Sequence, residues 1–263
     1  MAEPRPRLAI IGPGLIGTSV ALAAARRWPG IDVRMVGRDD PLDTIADSQV
    51  VVLAMPVDAI IQTLPLLGDV VDPQALVLDT GSTKRAVMSA AATAGLSRFV
   101  GGHPMGGGTS SGPAGARADL FDDQVWFLTN PDAPESMQRA VDFVEALGAR
   151  PVVLEDRGEE HDRLLAAVSH LPQMVASALM VTVTRAIGEG NLQWAGKGLR
   201  DTTRLAASQA GVWESIIATN SQEIKPLLRL LAAELVQLSD RLDNRDTLRA
   251  FFDEASRAKS SCL

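Results

Sequence analysis

The stretch RLAIIGPGLIGTSVALAAARR, residues 7–27, decides the fold. A short apolar run is followed by a glycine turn, GPGLIG, and then by a helical pattern of apolar residues. This is the G-x-G-x-x-G motif between a strand and a helix, the context in which the motif is informative. Gly12 permits the tight turn, Gly14 lets a pyrophosphate approach the backbone, and Gly17 lets helix and strand pack closely. The stretch predicts a dinucleotide site at a helix N-terminus.

Six more short apolar runs predict strands before residue 155, and helical patterns lie between several of them. Strands that alternate with helices predict a parallel, doubly wound α/β sheet. After about residue 155 only helical spacing is present. We therefore predict a Rossmann-type dinucleotide-binding domain over residues 1–155 and an all-α substrate and dimerisation domain over residues 156–263.

The connection after the second strand is unusually short. Only DPLDTIADS, residues 40–48, joins it to the third strand, whereas a strand–helix–strand crossover takes about a dozen residues or more. This predicts a sheet that is truncated after the second strand, with a short turn or one helical turn in place of a helix and a strand.

Composition limits the classes of partner. A net charge of −7 and a pI near 5.0 disfavour nucleic acid and anionic membranes, which require a basic face. The single cysteine, Cys262, excludes an intrachain disulfide and a zinc site of cysteine type. We expect no signal peptide, no run of the roughly 18 apolar residues that a membrane span needs, and a cytoplasmic protein without a metal.

The second predicted strand ends in residues that bear on the choice of cofactor. Asp39 lies 22 residues after Gly17, where an acid accepts hydrogen bonds from the adenosine ribose and disfavours a 2′-phosphate. Arg38 favours the opposite choice, because arginine can hold that phosphate. We predict NAD, with NADP as the alternative. The predicted cofactor-binding residues are Gly12, Gly14, Leu15, Ile16, Gly17, Arg38, Asp39 and Pro56.

The chain has three histidines, and His103 lies in the glycine-rich run GGHPMGGGTSSG, residues 101–112. Ser82 falls just past the fourth predicted strand, and we place His103 just past the fifth. Residues after the C-terminal ends of parallel strands line the ligand crevice, so both side chains are expected beside the nicotinamide. An imidazole there suits a general base that removes a hydroxyl proton, and a structural role is the alternative.

The helical half carries further polar candidates. His170 precedes Pro172, which removes a helix hydrogen bond and is expected to kink the chain. Arg200 and Arg204 lie near a glycine-rich helix start and are candidate carboxylate binders, although Arg204 could instead form a surface ion pair with Asp201.

Six segments together resemble the prephenate dehydrogenase family, which includes arogenate and cyclohexadienyl dehydrogenases. They are GPGLIGTS, VVLAMPV, LDTGSTK, GGHPMGG, EEHDRLLAAVSHLP and GLRDTTRLAASQAGVWESIIATN, and they extend over nearly the whole chain in the family's order. The resemblance implies an NAD-dependent oxidative decarboxylation of prephenate to 4-hydroxyphenylpyruvate by a homodimer joined through its helical domains.

The resemblance also implies roles for single residues. His103 matches the histidine that takes the ring hydroxyl proton, and Ser82 the serine that orients it and the substrate. His170 and Arg204 match a substrate-positioning histidine and the arginine that anchors a carboxylate. Trp213 matches an aromatic residue that reaches the site from the partner chain.

His161 lies nine residues before His170, and on a straight helix the two would face opposite ways. We therefore expect a structural role for His161.

The sequence departs from the family's pattern at two positions. Gln173 stands where members often have a second histidine, and Thr109 stands where an acid often occurs. The resemblance implies that the acid at the position of Thr109 belongs, in relatives, to an ion network that gates the pocket.

Three alternatives remain open. The substrate could be arogenate or a 4-amino analogue of prephenate. A β-hydroxyacid dehydrogenase would use a catalytic lysine in the helical half, and Lys197 is the only lysine between residues 85 and 224. A dinucleotide sensor without catalysis would lack the residues that are present here.

Overall fold

The computed structural model describes residues 7–106 and 112–260. Cys262 and Thr109 lie outside the described residues. By internal contacts the chain divides into two compact units, one that ends at Asn220 and one that begins at Ser221.

The first unit is built on a seven-stranded sheet whose strands are the seven that the sequence predicts. They are β1 (Leu8–Ile11), β2 (Val33–Val36), β3 (Val50–Leu53), β4 (Leu76–Asp79), β5 (Phe99–Pro104), β6 (Val125–Thr129) and β7 (Arg150–Leu154). Their order is β2-β1-β3-β4-β5-β6-β7. The helices of this half are α1 (Leu15–Arg27), α2 (Val57–Leu67), α3 (Arg85–Thr93) and α4 (Pro134–Ala146).

The sheet corrects two expectations. It is not truncated after the second strand, because five more strands follow, although the connection from β2 to β3 is short and contains one 3-10 turn, Leu42–Ile45. It is also not wholly parallel. Strands β1 to β5 are parallel, β6 is antiparallel to β5, and β7 is parallel to β6.

Both faces of the sheet are buried, as a sheet covered by helices requires. Leu8 and Ile10 of β1 face a cluster that includes Val20 of α1 and Phe143 of α4. Alternate strand residues face a second cluster, with Ile60 of α2 and Val87 of α3 among its members. The near-continuous apolar runs of β1, β3 and β4 follow from this two-sided burial.

A long helical stretch, Glu159–Ile187, follows the sheet in the same unit. It consists of α5 (Glu159–Leu165), a π-helical turn (Ala166–His170) and α6 (Leu171–Ile187). Pro172 lies in the first turn of α6, and the π turn lies directly before it. By length and mean hydropathy this stretch could cross a membrane, whereas the sequence led us to expect no run that is apolar enough. Its first half nevertheless carries three buried polar side chains, His161, Asp162 and His170.

Shorter elements complete the first unit. After a 3-10 segment, Glu189–Trp194, come α7 (Lys197–Thr202), a 3-10 turn (Arg204–Ala207) and α8 (Ala210–Thr219). Helix α8 is tied to the sheet half, because the Asp58 backbone N–H donates to the Ser215 hydroxyl at 3.2 Å. The Thr83 and Thr219 hydroxyls also share a hydrogen bond of 2.9 Å.

The second unit consists of α9 (Ser221–Ser239) and α10 (Arg245–Ser260). Several large apolar side chains on these helices are exposed, among them Leu230, Leu235, Val236 and Phe252. The last apolar stretch of the sequence was thus correctly predicted as helical, and several of its large apolar residues are exposed in the described part of the chain.

The glycine turn has the geometry that its motif predicts. Gly12 has a φ of +107°, and a Cβ there would lie 2.4 Å from the Ala54 carbonyl oxygen at the end of β3. A Cβ at Gly17 would lie 2.1 Å from the Gly12 carbonyl oxygen. At Gly14 a Cβ would meet no atom within 4 Å. Gly12 and Gly17 are therefore required by the fold itself, whereas Gly14 faces open space.

Because a Cβ is blocked at Gly17 but not at Gly14, alanine should destabilise the protein at the first position and have little effect at the second. Gly17→Ala should lower the free energy of unfolding by about 1–3 kcal/mol, because a backbone oxygen cannot move aside. This exceeds the gain of up to about 1 kcal/mol that alanine brings to a helix. Gly14→Ala should change stability by less than about 0.5 kcal/mol. Thermal unfolding measures the stability of both variants. Equal losses of stability would contradict the conclusion that the fold requires Gly17 but not Gly14.

Candidate active site

The C-terminal ends of the parallel strands form a crevice at one edge of the sheet. Strand β1 is paired with β2 on one side and with β3 on the other, so the strand order reverses there. Ligands of open α/β sheets bind outside the carboxyl ends of the strands at this kind of reversal. The glycine turn follows β1, Pro56 follows β3, and Ser82 follows β4.

The N-terminus of α1 fits the phosphates of a dinucleotide. Gly14 is its N-cap, no side chain caps the first turn, and no acidic residue lies in that turn. The first backbone N–H groups of the helix therefore lack intrahelical partners and present the positive end of the helix dipole. Leu15 and Ile16 are half-buried there, and the open space at Gly14 leaves room for a pyrophosphate.

Asp39 and Arg38 lie in the turn after β2, and both are exposed. The neighbouring Asp40 closes this turn by accepting a hydrogen bond of 2.7 Å from the Gly37 N–H. Among the residues that the structure describes, none forms a hydrogen bond or ion pair with the Asp39 carboxylate. This carboxylate is available to a ribose.

His103 lies within β5, not after it, and is 8% exposed. The prediction that His103 lies just past the fifth strand is therefore wrong, because β5 extends to Pro104. The flanking glycines serve the packing of strands, since a Cβ at Gly102 would lie 2.4 Å from the Asp79 carbonyl oxygen. The Gly102 N–H also donates to the Asp79 carboxylate at 2.9 Å. These contacts fix the backbone that carries His103.

His161, for which the sequence predicts a structural role, contacts His103 directly. The Nδ1 of His103 is 2.9 Å from the Nε2 of His161. The Nδ1 of His161 is in turn 2.8 Å from a carboxylate oxygen of Asp162. All three side chains are buried, and they form one hydrogen-bonded chain from β5 to α5.

Asp162 is held by the start of α3. The Lys84 N–H donates to one of its carboxylate oxygens at 2.7 Å, and the Arg85 N–H donates to the other at 3.0 Å. The Lys84 ammonium group forms a buried ion pair with Asp79 at the end of β4. Lys84 thus connects the chain His103–His161–Asp162 to a second buried polar pair, Lys84–Asp79.

Burial makes the histidines neutral. It lowers the pKa of His103 well below its usual value, and positive charge at His161 and Lys84 would lower it further. Burial is also the main cause that lowers the pKa of His161. Burial opposes the charged form of Asp162, but hydrogen bonds from His161 and from the N–H groups of Lys84 and Arg85 bring its pKa below the usual value. Asp162 is therefore a carboxylate beside two neutral imidazoles.

His170 ends the π turn and is 1% exposed. The Asn220 side-chain amide lies 3.1 Å from its Nδ1 and also donates to the Asp162 carbonyl oxygen at 2.7 Å. Burial lowers the pKa of His170 to about 4. Its Nε2 has no hydrogen-bond partner among the described residues. Since the Asn220 N–H₂ donates to Nδ1, the neutral ring carries its proton on Nε2.

Trp213 packs edge-on against His170 of the same chain, with ring centroids 6.0 Å apart. The resemblance implies that this aromatic residue reaches the site of the partner chain. Within its own chain it lies beside His170.

Arg204 and Arg200 are exposed. Within the described part of the chain Arg204 forms no ion pair, so the alternative of a pair with Asp201 is not supported. The Gln173 amide donates to the Leu205 carbonyl oxygen at 2.9 Å and thereby holds the turn that carries Arg204. At this departure from the family's pattern, glutamine anchors the chain near Arg204.

Ser82 is half-buried, and no hydrogen bond joins it to His103 among the described residues. The partner of the His103 imidazole is His161. Sequence reasoning missed His161, Asp162, Asp79, Lys84 and Asn220 as members of the site. The available signal was the pair His161-Asp162 in an otherwise amphipathic helix, because a histidine beside an acid is a common orienting arrangement.

Comparison with known proteins agrees with this geometry. A family model described as the nucleotide-binding domain of prephenate dehydrogenase matches residues 16–153, and one described as its dimerization domain matches residues 157–254. The fold resembles prephenate dehydrogenase from Aquifex aeolicus, solved with hydroxyphenyl propionate and NAD+, with a TM-score of 0.91 and 22% identity over 100% of both chains.

Two relatives of similar sequence extend the comparison. The prephenate dehydrogenase of Bacillus subtilis is 31% identical over 252 residues, which cover 85% of this chain and 67% of that protein. The cyclohexadienyl dehydrogenase of Zymomonas mobilis is 28% identical over 279 residues, which cover 96% of this chain and 94% of that protein. The two matched domains and these relatives establish that the chain belongs to the prephenate dehydrogenase family.

Proposed function

We propose that the protein is an NAD-dependent prephenate dehydrogenase, which converts prephenate to 4-hydroxyphenylpyruvate and carbon dioxide. The observation that carries the proposal is the buried, neutral His103 at the carboxyl end of β5, with one ring nitrogen bound to His161 and the other unbonded among the described residues. A base in this position suits the removal of a hydroxyl proton from a substrate in the crevice.

The reaction needs one proton acceptor and an electron acceptor. The bound dinucleotide supplies the acceptor for the hydrogen and the electron pair that leave the ring carbon. The Nε2 of His103 accepts the proton of the hydroxyl group on that carbon. The bond between the ring and its carboxylate breaks, carbon dioxide leaves, and the electron pair of that bond completes the aromatic ring. The phenolate oxygen then takes the proton back from His103.

The remaining groups position the substrate. The exposed Arg204 guanidinium is suited to a carboxylate, which it can bind through two parallel hydrogen bonds. His170 offers an N–H to a substrate oxygen, and Trp213 forms an apolar wall beside it. Ser82 remains a predicted contact of the substrate or of His103. Lys197 is exposed at the start of α7, which does not favour a β-hydroxyacid dehydrogenase.

The free carboxylate of Asp39 favours NAD over NADP, because it would repel a 2′-phosphate. Arogenate and the 4-amino analogue share the ring carboxylate and the departing hydrogen, and they remain alternative substrates. The bare dinucleotide sensor is disfavoured, since the candidate base, the carboxylate binder and the nucleotide turn are all present.

The proposal predicts reduction of the dinucleotide by the purified protein. We expect absorbance of reduced nicotinamide to appear fastest with NAD and prephenate, when NAD and NADP are each tested against prephenate and arogenate. His103→Asn should lower kcat by about a hundredfold or more and leave NAD binding intact, because general-base catalysis contributes about 10²–10⁴. No turnover with any pair, in a protein that still binds NAD, would refute the function. Normal turnover by the variant would remove His103 from the mechanism.

Arg204 gives a second prediction. Arg204→Ala should raise KM for prephenate by about tenfold or more with little change in kcat, because it removes binding that ground and transition states share. Arg185→Ala, a change of the same kind at the end of α6, is the matched control and should leave KM unchanged. An unaltered KM in Arg204→Ala would exclude a carboxylate contact.

We also propose that the protein is a homodimer joined through its helical part. The C-terminal family match and the exposed apolar residues of α9 support this. Leu230→Asp should convert the dimer to a monomer in sedimentation or light-scattering measurements, because Leu230 is 60% exposed in the single chain and a charge would be buried at the interface. Leu66→Asp on α2, where the leucine is 57% exposed, is the matched control and should remain dimeric. If both variants have the same oligomeric state, Leu230 does not lie in the dimer interface.

A further inference from the structure

The hydrogen-bonded chain Asp162–His161–His103 has a defined direction. Asp162 is a carboxylate and can only accept hydrogen bonds, and it already accepts two from backbone N–H groups. The Nδ1 of His161, which lies 2.8 Å from one of its oxygens, must therefore carry a proton and donate it.

The direction continues to His103. His161 is neutral and carries its one ring proton on Nδ1, so its Nε2 is a hydrogen-bond acceptor. The Nδ1 of His103, 2.9 Å away, must then donate to it. His103 is neutral as well, so its Nε2 holds a lone pair.

We propose that His161, anchored by Asp162, is a positioning residue that fixes the His103 imidazole in the tautomer whose Nε2 accepts the substrate's hydroxyl proton. This inference rests on the proposed function for its consequence, but the tautomer itself is a property of the free protein. The arrangement corresponds to the orienting carboxylate of a catalytic triad, with one imidazole inserted between carboxylate and base.

The surroundings of His161 hold it in this orientation. Phe127 of β6 packs edge-on against its ring, with centroids 5.5 Å apart, and His161 is fully buried. The charged and titratable groups that act on the pair are Asp162, Lys84, Asp79 and His170. When His103 holds the substrate's proton, its Nδ1–H remains bonded to His161, and the Asp162 carboxylate stabilises the positive charge through that ring.

His170 has the opposite arrangement and serves as an internal reference. Its Nδ1 accepts from the Asn220 amide, so its proton lies on Nε2. The chain therefore contains two histidines expected with the proton on Nδ1, His103 and His161, and one with the proton on Nε2.

The ring-nitrogen NMR spectrum of the ¹⁵N-histidine-labelled protein tests the proposal directly. The chain has only three histidines, so single substitutions assign every signal. At pH 7 and without substrate we expect the Nδ1–H tautomer for His103 and the Nε2–H tautomer for His170. A His103 in the Nε2–H tautomer, or a mixture of both, would overturn the proposal. This result does not depend on which substrate the enzyme uses, so it is independent of the proposed function.

Two substitutions at His161 test the consequence for turnover. His161→Leu removes the acceptor, so the His103 signal should lose its single tautomer. We expect kcat to fall by about tenfold or more with KM less affected, in the direction of the roughly 10⁴-fold loss that follows when a triad carboxylate becomes an amide. His161→Gln retains an oxygen that can accept from His103 and should recover part of kcat. Normal kcat in a folded His161→Leu variant would refute the role. If the His161→Leu variant does not fold, the tautomer of His103 in the wild-type spectrum and the kcat of His161→Gln still test the proposal.

Discussion

The hydrogen bond between His103 on β5 and His161 on α5 is the contact on which the site depends. It joins the sheet to the helical half inside the first compact unit, where water cannot replace it. Both rings are buried, and loss of the contact would leave a ring nitrogen of each without its present partner. An unpaired buried polar group costs about 1–3 kcal/mol. The site is therefore assembled only when α5 is packed on the sheet.

Asp162 determines which nitrogen donates in the hydrogen bond between His103 and His161. The hydrogen bonds that Asp162 accepts explain why this buried carboxylate is tolerated. Two backbone N–H groups at the start of α3 and one imidazole satisfy it. The neighbouring pair of Lys84 and Asp79 is buried in the same region. Buried ion pairs of this kind contribute little net stability but become costly when one partner is removed. The cluster is thus better understood as a device for orientation than as a source of stability.

The sequence was sufficient for the strands, the glycine turn and the position of His103 near the crevice, because these depend on local patterns. It was not sufficient for His161. The prediction that His161 faces away from His170 assumed a regular α-helix, whereas residues 166–170 form a π turn, which rotates the chain less per residue. The burial of Asp162 could not be predicted from the sequence either. An acid in the first turn of a helix is usually exposed, and Asp162 is buried because the start of α3 packs against it. The sheet showed the same limit, because the apolar run of β6 does not reveal that this strand pairs antiparallel to β5.

The lowered pKa of His103 explains why one imidazole, His161, lies between it and the Asp162 carboxylate. A base whose pKa lies well below neutrality is always ready to accept a proton at pH 7, but it is also a weak base. A proton on His103 must therefore be stabilised at the moment of reaction. Among the described residues, the Asp162 carboxylate is the only negative charge connected to its ring by hydrogen bonds. Burial without this carboxylate would leave an imidazole that is unprotonated but ineffective. The carboxylate in direct contact would instead raise the pKa of His103 and protonate it at rest. Placing one neutral ring between them satisfies both requirements.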